Sequence, residues 1–366
     1  MRAGFFSPLP PARSGVADYS SALLGALRRF GPVEVGSSRA DVALYHLGNN
    51  PLHRSIHAQA LAHPGVVVLH DAVLQHFYLG ALPREEYVEE FVYNYGGWHR
   101  GLAEEMWRRR AVSGSDAAFF RYPMLRRIAE ASRAVIVHNP AAADLVRSHS
   151  AKTPVIEIPC LFRPQAPLSE SERLRFRQTL GLSPAAFLFG VFGYLRESKR
   201  LLPILRVFQK LRERGLRLEL LVAGSFVSTD LARAALPLMA QPGVRHIGHL
   251  PADVFRKCEA AVDACINLRY PAAGETSAVS IQLMGAGRPV LLTAGAENER
   301  YPETGCIRVD SGIAESELLA HYMHWLASFR DAGPEIGRRA AEHIRRHHDL
   351  NLAAERYWNV LCAYRD

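Results

Sequence analysis

Residues 264–292 read ACINLRYPAAGETSAVSIQLMGAGRPVLL. The stretch begins with a short apolar run, crosses a loop-like Pro-Ala-Ala-Gly and continues in a helical pattern that ends near Gly287. A second apolar run follows, and Pro289 keeps the turn before it rigid. Strand, loop, helix and strand in this order form the repeating unit of a parallel α/β sheet.

The same alternation extends over the whole chain in two series. Apolar runs separated by helical stretches predict a parallel sheet in each series, and therefore two doubly wound domains. The first predicted strands are Arg2–Phe6, Val33–Val35, Val42–His46, Val66–Leu69, Ala134–Val137 and Val155–Ile158. The second are Ala186–Val191, Leu218–Val222, Val244–Ile247, Ala264–Leu268, Val290–Leu292 and Cys306–Val309. The proline-containing stretch LFRPQAPLSESER, residues 161–173, is typical of a linker that leads into a helix.

The bulk composition is that of an ordinary globular protein. The chain has 366 residues, of which 48% are hydrophobic and 22% charged, and a formal net charge of +8. A basic excess fits a phosphate-bearing ligand or an anionic membrane, although biased composition explains it equally well. No nucleic-acid-binding motif accompanies the charge, so we expect no nucleic-acid partner. The five cysteines form no CxxC pair or zinc spacing, and no signal peptide or membrane span is evident, which predicts a cytoplasmic protein.

In open α/β sheets ligands bind beyond the carboxyl ends of the strands, so unusual residues at those positions are candidates for a binding site. In the first series, Gly15 begins a helix after a proline-rich loop, and His70 follows the strand VVVL. A glycine at a helix start admits a phosphate to the backbone N–H groups, and a strand-end histidine can bind a sugar hydroxyl or a phosphate. The alternatives are an ordinary capped helix and a structural histidine. His53 and His57, spaced i, i+4 without a supporting carboxylate motif, are predicted to lie on a solvated helix face.

In the second series, FLFGVFGYLRESKR ends a strand at Gly193 and continues with Arg196 and Lys199. Cations at a helix start oppose the helix dipole, which favours a role in binding a diphosphate over a simple basic helix start. The strand-to-glycine turns at Gly224 and near Leu250 are candidates for lining a nucleotide pocket.

The helix after Gly274 is a further candidate anion site. Thr276 and Ser277 are predicted in its first turn, where free N–H groups and the dipole favour phosphate oxygens. Glu275, at the start of the helix, is either a carboxylate that reaches past the phosphate to hydroxyls or a common helix-start acid.

Taken together, these motifs resemble the GT-B glycosyltransferases of the GT4 type, the large retaining group. The resemblance covers nearly the whole chain and rests on FSPLPPARSGVADYS, VVVLHD, VIVHN, FGYLRESKRL, VAGS and RYPAAGETSAVSIQLMGAGRPV in this order. It implies two Rossmann-like domains that face a central cleft: an acceptor-side domain at 1–162 and a donor-binding domain at 163–343. It also implies that the last helix, within 344–366, crosses back to the first domain.

The resemblance assigns roles to several of these residues. It places Gly15 beside the donor phosphates, His70 near the donor sugar, and Arg196 and Lys199 on the diphosphate. The family's usual pair of glutamates lies eight positions apart, which corresponds here to Gly274 and Gln282. Glu275, one residue from the first position, is then expected to face the sugar, and the amide of Gln282 to bind the ribose. Tyr194 stands where the family has an arginine, and Arg196 is the expected substitute.

The implied reaction moves a sugar from a GDP- or UDP-linked donor to a hydroxyl of a glycan or lipid-linked acceptor, with retention, in polysaccharide, glycolipid or glycoconjugate biosynthesis. No metal and no other cofactor is expected, because cations and helix N–H groups stabilise the leaving diphosphate. The alternatives are a nucleotide-sugar epimerase and a non-catalytic nucleotide-sugar-binding protein. Trp98, Trp107 and Arg108–Arg110 suggest a peripheral contact with the inner face of the cytoplasmic membrane, or else a solvated helix face.

Overall fold

The structure, a computed structural model, describes residues 1–37 and 39–365. The chain divides into two compact units. The first comprises Met1–Leu161, Pro271–Thr276 and His348–Asp366, and the second comprises Phe162–Tyr270 and Ser277–His347. Each unit is built on a six-stranded sheet in which all paired strands are parallel.

The sheet of the first unit has the strand order β2-β1-β3-β4-β5-β6. Its strands are β1 Ala3–Phe6, β2 Val33–Val35, β3 Val42–Leu47, β4 Val66–Leu69, β5 Ala134–Val137 and β6 Val155–Glu157. The helices of this unit are α1 Gly15–Leu27, α2 Arg54–Ala62, α3 Gln75–Ala81, α4 Arg84–Tyr95, α5 Arg100–Arg108, α6 Arg126–Ala131, α7 Pro140–His149 and α15 Leu350–Ala363.

The sheet of the second unit has the order β12-β11-β10-β7-β8-β9. Its strands are β7 Phe187–Phe192, β8 Leu218–Ala223, β9 Val244–Ile247, β10 Ala264–Asn267, β11 Val290–Thr293 and β12 Ile307–Val309. The helices are α8 Glu170–Thr179, α9 Leu201–Glu213, α10 Thr229–Met239, α11 Ala252–Ala261, α12 Ala278–Gly285, α13 Glu315–Ser328 and α14 Ala332–His347.

All twelve predicted strands are confirmed to within about two residues, as is the α/β class with two parallel sheets. The agreement has a simple cause. The central strands are covered on both faces, so Val66–Leu69, Ala134–Val137 and Val290–Thr293 consist almost entirely of buried apolar residues.

The last two helices are separate, because α14 ends at His347 and Asp349 caps α15 by accepting hydrogen bonds from the N–H groups of Asn351 and Leu352. One prediction about a helix is wrong. His53 and His57 do not lie on a solvated face, since both rings are buried. His57 contacts the hydroxyl of Tyr78 through Nε2, so a hydrogen bond inside the core replaces the expected water.

Each sheet has one point at which the order of strand connection reverses. In the first sheet the chain runs from β1 outward to β2 and then returns to β3 on the other side of β1, and in the second sheet β7 and β10 are related in the same way. Such switch points leave a crevice beyond the carboxyl ends of the two strands, where ligands bind in doubly wound folds.

Among the described residues, no helix combines the length and the hydropathy needed to cross a bilayer.

Candidate functional site

The switch point of the second sheet begins at Gly193, directly after β7. Gly193 has a φ of 84°, in the region that favours glycine. Gly224, which follows β8, has a φ of 155°, and a Cβ at this position would collide with the backbone of Gly193. The two glycines therefore let the chain turn sharply at adjacent strand ends. For Gly224 this close packing is a structural reason for the residue, in addition to the predicted contact with a nucleotide.

Lys199 lies at this strand end. Its side chain is 6% exposed, and its ammonium group donates a hydrogen bond to the carbonyl oxygen of Phe192, the last residue of β7. Arg196, in contrast, is exposed and precedes the short 3₁₀ turn Glu197–Lys199. The structure therefore places Lys199 at the carboxyl end of β7 and leaves the guanidinium of Arg196 facing solvent.

Arg200 is held differently from its neighbours. It adopts a left-handed backbone conformation with a φ of 58° and is the N-cap residue directly before α9. Its guanidinium pairs with the buried carboxylate of Glu315, with an Nη2–Oε1 distance of 2.7 Å. This ion pair fixes the turn that carries Lys199.

A second cation, Arg269, follows β10 on the other side of the switch point. The backbone N–H of Arg269 donates to Thr293 Oγ1 at 2.8 Å, and its Nη2 lies 3.3 Å from Ser277 Oγ, at the start of α12. Sequence reasoning did not single out Arg269. The signal was present, however, because the residue stands directly after a predicted strand and before the predicted anion-binding helix.

Helix α12 starts at Ala278, two residues later than the prediction that placed Thr276 in its first turn. Ser277 is its N-cap, and the Ser277 hydroxyl oxygen accepts hydrogen bonds from Ser280 N and from the side-chain amide of Asn267. The N–H groups of Ala278 and Val279 have no hydrogen-bond partner in the part of the chain that the structure describes. The helix start thus presents two open donors beside Arg269, as an anion site requires.

Gln282 lies on α12, a little more than one turn after the N-cap. Its side-chain oxygen Oε1 is buried and has no hydrogen-bond partner among residues 1–37 and 39–365. A buried acceptor without a partner is rare in folded proteins and often marks a position that a ligand satisfies. Leu250, a further predicted contact, is half-buried in the loop between β9 and α11.

Glu275 belongs to the loop Pro271–Thr276, which packs within the first unit. The carbonyl of Ala273 accepts a hydrogen bond from Ala72 N at 2.8 Å, and Glu275 Oε2 accepts one from Ala273 N at 2.7 Å. Gly274 is buried with a φ of 69°, and a Cβ there would lie 2.8 Å from the Cβ of Ala72. Only glycine fits this position without strain.

Asn139 holds the same loop from the first sheet and was not predicted as a site residue. It follows β5 and caps α7, and its side-chain amide donates to Gly274 O and to Thr276 Oγ1, at 3.0 Å each. The Thr276 hydroxyl is therefore used to anchor the loop. The signal for Asn139 was its place after a strand in VIVHN.

His70 follows β4 and stands between two other histidines. His70 Nε2 lies 3.0 Å from His46 Nδ1, and His70 Nδ1 lies 3.3 Å from His138 Nε2. Burial, followed by the charges that neighbouring histidines would carry, lowers the pKa of His70 well below its ordinary value. Burial also lowers the pKa of His138 to about 4. Burial lowers the pKa of His46 in the same way, so the rings of His46, His70 and His138 are all neutral at pH 7.

The turn after β3 is fastened to the residues that follow β4. Asp71 Oδ2 accepts a hydrogen bond from Asn49 N at 2.7 Å, and the Asn49 side chain contacts His76 Nδ1 and accepts a hydrogen bond from Phe77 N. These contacts fix the edge of the sheet on which His70 lies.

Gly15 begins α1 and is exposed. A side chain at this position would meet no atom within 4 Å, and Ser14 caps the helix through Ala17 N. The N–H groups of Gly15 and Val16 make no hydrogen bond with any other residue that the structure describes. The helix start is open, as the prediction for Gly15 requires.

The aromatic and basic segment of the first unit is less free than its sequence suggests. Trp98 is fully exposed, but Trp107 packs against Tyr87 at a ring-centroid distance of 5.4 Å. Arg108 and Arg109 pair with acidic residues, and Arg110 stacks on the Trp107 ring. Trp98 is therefore the aromatic side chain of this segment that is available to a partner.

In comparisons with known proteins, no family model matches the chain, and no curated protein sequence matches it either. Solved structures do match. Sucrose-phosphate synthase from Thermosynechococcus elongatus aligns over 98% of this chain and 97% of its own, with a TM-score of 0.68 and 15% identity. HepE from Anabaena, solved with UDP and glucose, aligns over 99% of this chain and 100% of its own, with a TM-score of 0.69 and 15% identity.

WaaG, a glycosyltransferase involved in lipopolysaccharide biosynthesis, aligns over 99% of both chains, with a TM-score of 0.61 and 14% identity. These similarities extend over both units, so the chain has the GT-B fold of these proteins. The resemblance expected from the sequence is confirmed for the fold.

Proposed function

We propose that the protein is a retaining glycosyltransferase of the GT4 type that moves a sugar from a nucleotide diphosphate to an acceptor hydroxyl. The observation that carries the proposal is the switch point of the second sheet, where Lys199, Arg269 and the open N–H groups of α12 come from adjacent elements. Two cations and two backbone donors suit a diphosphate, which carries its charge on several oxygens.

In the proposed reaction, the bond between the anomeric carbon and the diphosphate oxygen breaks, and negative charge grows on the leaving group. Lys199 and Arg269 stabilise that charge, and the α12 N–H groups add hydrogen bonds that need no reorganisation. The sugar becomes oxocarbenium-like, and the acceptor hydroxyl attacks from the face the diphosphate leaves, so the configuration is retained. The acceptor proton passes to the departing phosphate oxygen.

The remaining residues are assigned to binding and orientation. We assign Gln282 to the ribose, because its buried carbonyl oxygen can accept a hydroxyl hydrogen. Glu275 is assigned to hydroxyls of the donor sugar, and Gly193, Gly224, Gly274 and Leu250 to the walls of the donor site. Thr276 and Ser277 support the loop and helix start through their hydroxyls, while the backbone of Gly15 is assigned to the phosphates. Arg196, which is exposed, is assigned to the outer edge of the diphosphate site.

His70 is assigned to the donor sugar side of the site. Because His46 and His138 occupy both of its ring nitrogens, we propose that His70 contributes shape and ring-edge contacts rather than a hydrogen bond to a sugar hydroxyl.

We further propose that the donor carries UDP or GDP and that no resident metal takes part, because the cations named above supply the charge a metal would. The acceptor is proposed to be a glycan or a lipid-linked sugar, with Trp98 as the contact with the membrane surface. The five free cysteines support a reducing, cytoplasmic setting.

The test is a thermal-shift screen with UDP-, GDP- and TDP-sugars, followed by turnover assays with the donor that binds. A ligand that binds the native state raises its melting temperature, by an amount that grows with concentration. We expect one nucleotide class to stabilise the protein, and the same shift in the presence of EDTA. Donor epimerisation without acceptor, or binding without turnover across acceptors, would overturn the proposed reaction.

A further inference from the structure

His46, His70 and His138 form a line of three imidazoles, here called the histidine row, across the ends of β3, β4 and β5. The facing ring nitrogens lie 3.0 Å apart between His46 and His70 and 3.3 Å apart between His70 and His138, and the His46 and His70 rings are stacked with an interplanar angle of 21°. The row is not needed to explain the sheet, because each strand already pairs with its neighbour through the backbone.

The chemistry at the His138 end fixes the direction of every hydrogen bond in the row. His138 Nδ1 lies 2.9 Å from the carbonyl oxygen of Ile158, and a carbonyl only accepts, so Nδ1 carries the hydrogen. In a neutral ring Nε2 is then bare and must accept from His70 Nδ1. His70 Nε2 is bare in turn and accepts from His46 Nδ1.

The other end of the row agrees with this direction. His46 Nε2 is buried and has no hydrogen-bond partner among residues 1–37 and 39–365. In the derived arrangement this nitrogen is a bare acceptor, which tolerates the lack of a partner better than a buried N–H would. If every hydrogen bond of the row ran in the opposite direction, His46 Nε2 would carry a hydrogen without an acceptor. His138 Nδ1 would then be bare and would face the Ile158 carbonyl oxygen, which cannot donate. Both ends therefore select the same arrangement.

Aromatic groups hold the row from the sides. The Tyr19 ring meets the His70 ring edge-on at 4.8 Å, and the Tyr19 and Tyr357 hydroxyls lie 2.9 Å apart. His53 donates from Nδ1 to the His46 carbonyl at 2.9 Å, since a carbonyl is again the partner. Burial keeps the pKa values of His46 and His53 below the ordinary histidine value, so these neighbours remain neutral.

We propose that His46 and His138 are positioning residues that lock the His70 ring in one orientation and in the Nδ1–H tautomer. The catalytic consequence rests on the proposed function, because it requires that the edge of His70 meets the donor sugar. The locked tautomer itself does not depend on that function. The proposal can therefore be tested in two arms that fail separately.

The first arm measures the tautomers directly. In protein labelled with ¹⁵N-histidine, long-range ¹H–¹⁵N correlation spectra at neutral pH distinguish protonated from bare ring nitrogens, and single substitutions assign the signals. We expect His46, His70 and His138 all to carry hydrogen on Nδ1 and none on Nε2. An Nε2–H form of any of the three in the wild-type protein overturns the proposal, whether or not the protein turns over a donor.

The second arm compares His138→Asn with His138→Gln. An asparagine amide occupies the place of Nδ1 and keeps the bond to Ile158, but it offers His70 no acceptor. A glutamine amide reaches the place of Nε2 and keeps that acceptor. We expect His138→Asn to lower kcat about tenfold or more with little change in KM for the donor, since small displacements at a reacting centre are costly. His138→Gln should stay within a factor of about two, as expected when the network's acceptor is kept.

The matched control is His57→Gln, which removes a buried histidine of the same unit outside the row and can keep the contact with Tyr78. We expect it to leave kcat and the tautomers of the row unchanged. Equal losses of kcat in the two His138 variants would indicate a structural role only and overturn the positioning role. Absence of turnover in the wild-type protein would refute the proposed function. The NMR spectra would then still test whether His46, His70 and His138 adopt the proposed tautomers.

Discussion

At the scale of single residues, Lys199 is the side chain on which the proposed chemistry depends most. Its ammonium group is buried at the carboxyl end of β7. We expect Lys199→Met, which keeps most of the volume, to lower kcat by about 10²- to 10³-fold, since this is the usual effect of removing one group that stabilises developing charge. Lys210→Met, on the exposed side of α9, is the control and should be neutral. Near-normal turnover of the Lys199 variant would remove it from the mechanism.

Gly274 tests whether the loop Pro271–Thr276 positions Glu275. An alanine at this position would have to adopt a φ of 69° and would crowd Ala72. The left-handed conformation alone costs an alanine about 1–2 kcal/mol, so we expect the loop to shift. Displacement of Glu275 should then lower turnover by about a hundredfold.

Gly101→Ala is the control for Gly274→Ala. Gly101 lies in α5, and an added Cβ there meets nothing within 4 Å. Gly101 lies in the first turn of the helix, and alanine has a higher helix propensity than glycine, so the melting temperature should not fall and turnover should not change. If Gly274→Ala also keeps full turnover, the loop does not position Glu275.

The sequence identified residues that follow predicted strands but not the partners that fix them. His70, Lys199 and Gln282 could be singled out because a strand end or a spaced motif is local information. The contacts of Asn139 with Gly274 and of His46 with His70 join segments that are distant in the chain. Which strands are neighbours decides these pairs, and a single sequence does not contain that order.

At the scale of elements, the apolar runs predicted the strands well because a parallel sheet covered on both faces requires them. The errors arose in helices. The pattern of His53 and His57 resembles a solvent-facing pair, yet their helical segment packs into the core, where the side chains find carbonyl and hydroxyl partners. Hydrophobic periodicity treats histidine as polar and so misses a buried, hydrogen-bonded ring.

Asp263 joins three elements of the second unit. It precedes β10, and its carboxylate accepts hydrogen bonds from Arg173 and Arg177 of α8 and from the backbone N–H of Leu188 in β7. Arg177 is 1% exposed, so loss of the carboxylate leaves a buried charge without this partner. We expect Asp263→Ala to destabilise the fold by about 3 kcal/mol, the scale measured for breaking buried pairs.

Asp230→Ala is the matched control, because Asp230 pairs with Arg233 and both side chains are largely exposed. Exposed pairs contribute about 0–1 kcal/mol, so its unfolding midpoint in urea should hardly move. Equal midpoints for the two variants would show that Asp263 does not tie α8 to the sheet.

At the scale of the whole molecule, two doubly wound units follow from two series of strand and helix separated by a linker. What the sequence could not predict is that residues 271–276, in the middle of the second series, pack within the first unit. That loop is anchored by Ala72 and Asn139, both after strands of the first sheet. The candidate acid Glu275 thus belongs to a different unit from the cations Lys199 and Arg269.

The buried histidines make the stability of the whole chain depend on pH. Burial lowers the pKa of His53, His57 and His138 to about 4, whereas an unfolded chain has histidine pKa values of about 6.5. Between these values the unfolded state binds more protons, so the free energy of unfolding falls as the pH drops from 6.5 toward 4. Above pH 6.5 the contribution is complete.

The dependence of the free energy of unfolding on pH can be assigned to individual histidine rings. From the linkage relation, one such histidine contributes about 2 kcal/mol to the loss of stability between pH 7 and pH 5. We expect His57→Gln to lose about 2 kcal/mol less stability than the wild type between pH 7 and pH 5. Urea unfolding of both proteins at the two pH values measures this difference. His63→Gln is the control, because His63 is exposed, and it should leave the slope unchanged. If the free energy of unfolding of the wild type and of His57→Gln changed equally with pH, His57 would have the same pKa in the folded and unfolded states, and the prediction would be wrong.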